Sequence, residues 1–293
     1  MTVTLSERIL GRYERFSLCN SPYPAHDDGR AIDLYPSDNG GISPVSGTVR
    51  ETRTVGCPDR PYAAGTDHVI VVDLNVDFCR RIGADVGTAA RVLHVVPRVR
   101  PGDAVVVGDV LGPMTRSGFF GQWVDNHVHL GFRPPGASAL RASGSLPVAI
   151  DVDVEPVPWD GTGVVVARGP THVVLDAPTH PASGATFAAL ASDDGVPLDG
   201  GLAHYAGGGT FGTAEGRVSL LGTDVGTARG RRVEWRPIDV LANDRRVTGL
   251  SLFAARDGRC GVKIVDPEGE FNIGERVDVE IRESDDPIRL GVG

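Results

Sequence analysis

Three histidines and one aspartate stand out for chemistry. His94 follows the apolar pair Val92-Leu93, and His127 and His129 flank a single valine in His127-Val128-His129. Successive side chains on a β-strand point to opposite faces, so residues two apart share one. His127 and His129 are therefore expected to project together, with Val128 and Leu130 turned away. Imidazole is the commonest zinc ligand and the one side chain that titrates near neutral pH unaided. A metal ligand beside a proton-transfer group is the sharp reading of this strand. Two half-exposed strand histidines are the plain one. Asp33 lies between Ile32 and Leu34, so alternation turns it away from both, either to solvent or into a polar site.

The elements that must position these groups read as short strands. Gly numbers 39 and Pro 21, with 6% aromatic residues, which favours strands and turns over long helices. At 293 residues the length favours two domains, each large enough to bury a core. The first is expected over 1–145 and the second over 146–293. Residues 1–18 carry a partial helical period at Leu5, Ile9, Leu10, Tyr13 and Phe16. A short strand follows at 31–35, then Ile42–Val55 as two strands around a Gly turn. The run His68–Leu74 reads as a buried strand. Pro134-Pro135-Gly136 opens a loop-like stretch. VAIDVDVEPVPW, which alternates apolar and acidic residues, is expected to open the second domain as one half-buried strand. Seven further strand-like runs separated by Gly, Asp and Pro predict a sandwich or barrel. His172, His180 and His204 lack ligand spacing and read as surface or strand histidines.

The net charge is −9 and Lys263 is the only lysine. An acidic, lysine-poor chain is halophile-like, and it disfavours nucleic acid, whose phosphates need a basic face. Cys19, Cys57, Cys79 and Cys260 form no C-x-x-C pair. They are expected as free thiols in a reducing compartment. The N-terminal stretch carries charges throughout and no segment approaches a membrane span, so a cytoplasmic, membrane-free protein is expected.

The order of phrases resembles the lysostaphin-type (LytM-like) zinc metallopeptidases over about residues 23–135. The matching series is Asp33, Ile42–Val49, Leu93-His94, Val99–Gly112, Ser117-Gly118 and His127–Phe132. The resemblance implies a duplicated hybrid motif of interlocked β-hairpins, followed here by a second all-β domain it does not cover. It implies zinc held by Asp33 and His129, with His94 and His127 handling the proton and the developing negative charge on a peptide or amide carbonyl. The family's first ligand in His-x-x-x-Asp falls on Gly29. The nearest histidine is His26, either a ligand brought in by a looped-out Asp27-Asp28-Gly29 or an ordinary loop histidine. Gly29 at positive φ and an Asx-turn at Asp27 or Asp28 are what such a loop needs. Two imidazoles and a carboxylate leave zinc a fourth position for water and lower that water's pKa to about 7.

Three other functions compete. A phosphocarrier similar to the glucose-specific IIA proteins would pair His68 with His94 but leaves His127-Val128-His129 idle. A biotinyl or lipoyl carrier needs a hairpin lysine, which the first domain lacks. A metallopeptidase fold that has lost catalysis and serves as a binding module is the third.

Overall fold

The computed structural model describes every residue except Asp28, Arg259, Gly261, Val292 and Gly293. The chain is mainly β and forms two compact units, 1–16 with 28–152, and 17–27 with 153–293.

In the first unit an antiparallel sheet runs in the order Ile32–Tyr35, Val128–Arg133, Ala89–Leu93, Thr66–Leu74, Gly47–Gly56, Ala104–Val105. Its centre is rich in β-branched residues. Val69, Ile70, Val71 and Val72 are each at most 1% exposed, which suits a pleated strand covered on both faces. Register places His129 opposite both Asp33 and Leu93, and Arg91 opposite both Gly131 and Val71. Two small ladders complete the unit, Gly40–Ile42 with Val110–Pro113 and Val3–Ser6 with Val148–Asp151. The helix Val76–Ile82 starts at Asn75, whose side chain accepts the Phe78 N–H, and stops at Gly83 in the left-handed conformation.

Several expectations need correction. The partial helical period near the N-terminus resolves into a strand, Val3–Ser6, and a single helical turn, Glu7–Leu10. The alternating run at 148–157 is two strands: Val148–Asp151 pairs within the first unit, and Val154–Val157 pairs with Phe187–Leu190 in the second. The division between the units falls between Val152 and Asp153. Ser17–Asp27, expected in the first domain, groups with the second unit. The tie is the buried Asp199 carboxylate, which accepts the Ser17 hydroxyl at 2.6 Å and the Leu18 and Cys19 N–H groups at 2.7 and 2.9 Å. No periodicity in the sequence reports such a bond.

The second unit is built on ten antiparallel strands, beginning with the long hairpin Gly207–Leu220 and Thr223–Trp235 at one edge and ending with Arg245–Val247 at the other. They pack around a core that includes Leu198, Val233, Trp235, Leu250, Ile264 and Val277. His204 is fully buried here rather than at the surface. Burial, with the Arg289 charge, pushes its pKa down to about 3, so it is a neutral core histidine. His180 is also buried, with Nε2 on the Ala255 carbonyl and Nδ1 accepting the Ala182 N–H. All four cysteines are free thiols. Among the described residues no helix is long and apolar enough to cross a membrane.

Candidate metal and catalytic centre

Asp33 sits on Ile32–Tyr35 with its side chain 3% exposed, so it lines a site rather than meeting solvent. Its Oδ1 accepts a hydrogen bond from His129 Nδ1 at 2.9 Å and lies 3.4 Å from His127 Nε2. His127 precedes the strand Val128–Arg133 and still projects to the side His129 takes. Its Nδ1 donates to the Asp125 carbonyl at 2.9 Å, which fixes the proton on that nitrogen and turns Nε2 towards Asp33.

His94 reaches the same place by a different route. Leu93 is the register partner of His129, so strand alternation alone would send His94 to the opposite face. Instead His94 has φ +66°, a left-handed conformation uncommon for a residue with a Cβ. The turn brings its ring centroid to 4.9 Å from that of His127 and 5.7 Å from that of His129.

Asp67 holds that conformation. One carboxylate oxygen accepts His94 Nδ1–H at 2.5 Å and the Ser117 hydroxyl at 2.9 Å. The other accepts the N–H of His68 at 2.6 Å and of His94 itself at 3.2 Å. Burial would raise the Asp67 pKa, but the hydrogen bond and charge of His94, helped by His68 and Ser117, outweigh it and hold the carboxyl down at about 2. Sequence reasoning missed Asp67 and gave Ser117, named only within the matching series, no role. The signal available was alternation: Asp67 shares its strand face with the buried Val69 and Val71, where an acidic residue must have partners.

An aromatic wall borders the histidines. Phe120 lies 4.6 Å from His127 and 5.0 Å from His94, and Tyr35 lies 5.2 Å from His127, centroid to centroid. The loop carrying Phe120 is fixed by Arg116, whose guanidinium donates to the carbonyls of Gly121, Gln122 and Val124 and stacks over Phe120. Gly118 is needed in that loop for space, since a Cβ there would stand 1.9 Å from the Pro58 carbonyl oxygen.

His26 is 2% exposed on the single turn Pro24–Asp27, and its Nδ1 bonds the Leu18 carbonyl at 2.8 Å. That bond puts the proton on Nδ1 and leaves Nε2 as the ligand atom, the usual arrangement of a metal-binding histidine. Asp33 and His129 lie together in the first unit, whereas His26 belongs to the stretch Ser17–Asp27 that groups with the second. Imidazole and carboxylate are both ligand types that zinc takes. Gly29 has φ +60°, as the loop reading requires, while the Asx-turn at Asp27 or Asp28 lies outside the described residues.

A family model described as the Domain of unknown function (DUF8155) N-terminal domain matches residues 4–150, and one for the C-terminal domain of that family matches 155–282. The chain belongs to the DUF8155 family. The two matched ranges meet near the division between the two units. No curated protein and no solved structure matches it.

Proposed function

We propose that the first unit of this DUF8155 protein carries a zinc-dependent hydrolase site for peptide or amide bonds, as the lysostaphin-type resemblance implies. The observation that carries the reading is the pairing of His94 and His127 at 4.9 Å beside the Asp33–His129 hydrogen bond. Asp33 and His129 are the proposed zinc ligands of this unit. A zinc ion supplies a polarised water and a Lewis acid for the carbonyl. The chain's own groups do the rest. His94, with Nδ1–H committed to Asp67, offers Nε2 as the proton acceptor. His127, with Nδ1–H committed to Asp125, offers Nε2 on the other side. Either imidazole, once protonated, stabilises the negative charge that develops on the carbonyl oxygen. Phe120 and Tyr35 keep this corner dry, which strengthens each of those interactions.

The phosphocarrier reading is weaker because His68 faces Thr54 Oγ1 at 3.4 Å, whereas the adjacent Asp67 is the residue that holds His94. A cytoplasmic location is part of the proposal and is supported by the free thiols. The substrate is a peptide or small amide, with neither nucleic acid nor membrane as partner.

The test is elemental analysis of protein grown with zinc, followed by hydrolysis of a peptide library in high salt with and without a chelator. About one zinc per chain and chelator-sensitive cleavage are expected. Stoichiometric zinc with no cleavage would move the protein to the binding-module reading, and no divalent metal at all would remove both.

A further inference from the structure

The sheet face that carries His129 continues along its strand through Gly131 to Arg133, since residues two apart share a face. Directly opposite Gly131, in register, stands Arg91. Gly131 has no side chain, and a Cβ placed there would lie 3.1 Å from Ser145 Oγ and 3.7 Å from Arg133 Nη1. Arg133 thus borders the space above Gly131, and Arg91 holds the register position across from it on the same sheet face.

Arg133 is 1% exposed and donates to the Phe132, Arg141 and Ala142 carbonyls and to the Ser145 hydroxyl. None of those acceptors carries a charge. Arg91 makes no hydrogen bond and no ion pair among the described residues, and its Nε, like that of Arg133, is buried without an acceptor. Around Arg91 the same face is apolar, with Val69, Val71, Ala89 and Leu93 packed under Ala139 and Leu140. Burial, then the neighbouring Arg133 charge, lowers the Arg91 pKa to about 10, against the pull of Asp67. Arg133 is lowered by burial as well.

Burying a charge without a counter-charge is among the costliest arrangements a fold can hold. Two neighbouring like charges on one sheet face, the Arg91 planar N–H fork being unused, fit an oxyanion, which a guanidinium binds in paired hydrogen bonds. The position gives the anion a meaning. Gly131 is two strand residues, about 7 Å, from His129, and one extended peptide residue spans about 3.5 Å.

We propose that Arg91, backed by Arg133, is a subsite for the C-terminal carboxylate of a peptide whose scissile bond lies one or two residues from its end. The anion subsite stands on the Arg91–Arg133 geometry, while the identity of its ligand as a substrate rests on the hydrolase reading above. It makes the protein an exopeptidase rather than an enzyme that cuts within a chain. Arg91 touches the substrate, and Arg133 positions Arg91 and supplies a second charge.

The experiment uses the full chain stripped of metal, so that binding is read apart from turnover. Acetyl-alanyl-alanine, its C-terminal amide and inorganic phosphate are titrated while the arginine Nε–H resonances are followed by NMR. The free acid is expected to bind at least tenfold tighter than the amide and to shift the Arg91 resonance. Arg91→Gln, with folding checked by circular dichroism, is expected to abolish the difference, and Arg91→Lys to keep part of it. Equal binding of acid and amide overturns the proposal. So does a tenfold preference that survives in Arg91→Gln, or phosphate shifting Arg91 where the peptide acid does not. Should Arg91→Gln fail to fold, the wild-type resonance decides alone. A protein that never takes up zinc yet keeps an Arg91-dependent acid preference loses the hydrolase reading and retains the anion subsite. Zinc uptake without acid preference has the opposite consequence.

Discussion

Asp67→Asn is the substitution whose effect can be worked furthest. The carboxylate is fully buried and accepts four hydrogen bonds, two of them from His94. Its pKa is held at about 2 against an ordinary 3.8. A depressed carboxyl stabilises the fold above its unfolded pKa and loses that contribution as pH falls through the folded one. A shift of nearly two units corresponds to about 2–3 kcal/mol at neutral pH. Around half of it should be gone near pH 3. Asparagine keeps the shape but removes the charge and turns an amide N–H towards a donor, so the full amount should be lost at pH 7. Urea denaturation followed by circular dichroism at pH 7 and at pH 3 measures both numbers. A loss under about 0.5 kcal/mol at pH 7, or an equal loss at the two pH values, would refute the role of the Asp67 charge in holding His94. The functional side is separable. Asp67→Asn should leave zinc content intact and lower hydrolysis roughly a hundredfold, the usual worth of a positioned acid-base group.

His129→Ala should remove zinc and activity together, whereas His94→Ala and His127→Ala should keep zinc and lose at least about a hundredfold in rate; metal analysis beside a rate assay distinguishes them. Asp199 is pushed up to about 6 by burial, only partly countered by its three donors, so the folded state keeps a proton that the unfolded state has released. Stability should therefore fall as pH rises from about 4 to about 6, by about 3 kcal/mol in all. Asp199→Asn should flatten that window in urea titrations, and an unchanged slope would count against it. Gly118→Ala brings a Cβ to 1.9 Å from the Pro58 oxygen and should cost about 1–3 kcal/mol, visible as a lower Tm; an unchanged Tm would mean the loop yields freely.

Asp33, His129 and His127 were legible because their strand context is short and alternating, so the face of each side chain follows from position alone. The mainly β, two-unit plan was legible from Gly and Pro punctuation for the same reason. What was hidden depends on single long-range bonds. Ser17 and Asp199 lie 182 residues apart, and their contact assigns Ser17–Asp27 to the second unit without any local signature. The run 148–157 alternates without interruption, yet its two halves pair with different sheets. Alternation fixes the face a strand shows and is silent about its partner.

His94 is where local rule and structure part most sharply, and the cause is informative. A left-handed residue bearing a Cβ costs about 1–2 kcal/mol. Asp67 returns at least as much, because hydrogen bonds to a charged acceptor contribute about 1.5–3 kcal/mol each, and it bonds both the backbone N–H and the ring of the strained residue. A histidine serving only to fill the core has no need of this arrangement, since alternation would already bury it on the opposite face. The strain and its compensation make sense together only if the direction of the ring matters. That direction is the side on which His127, His129 and Asp33 meet.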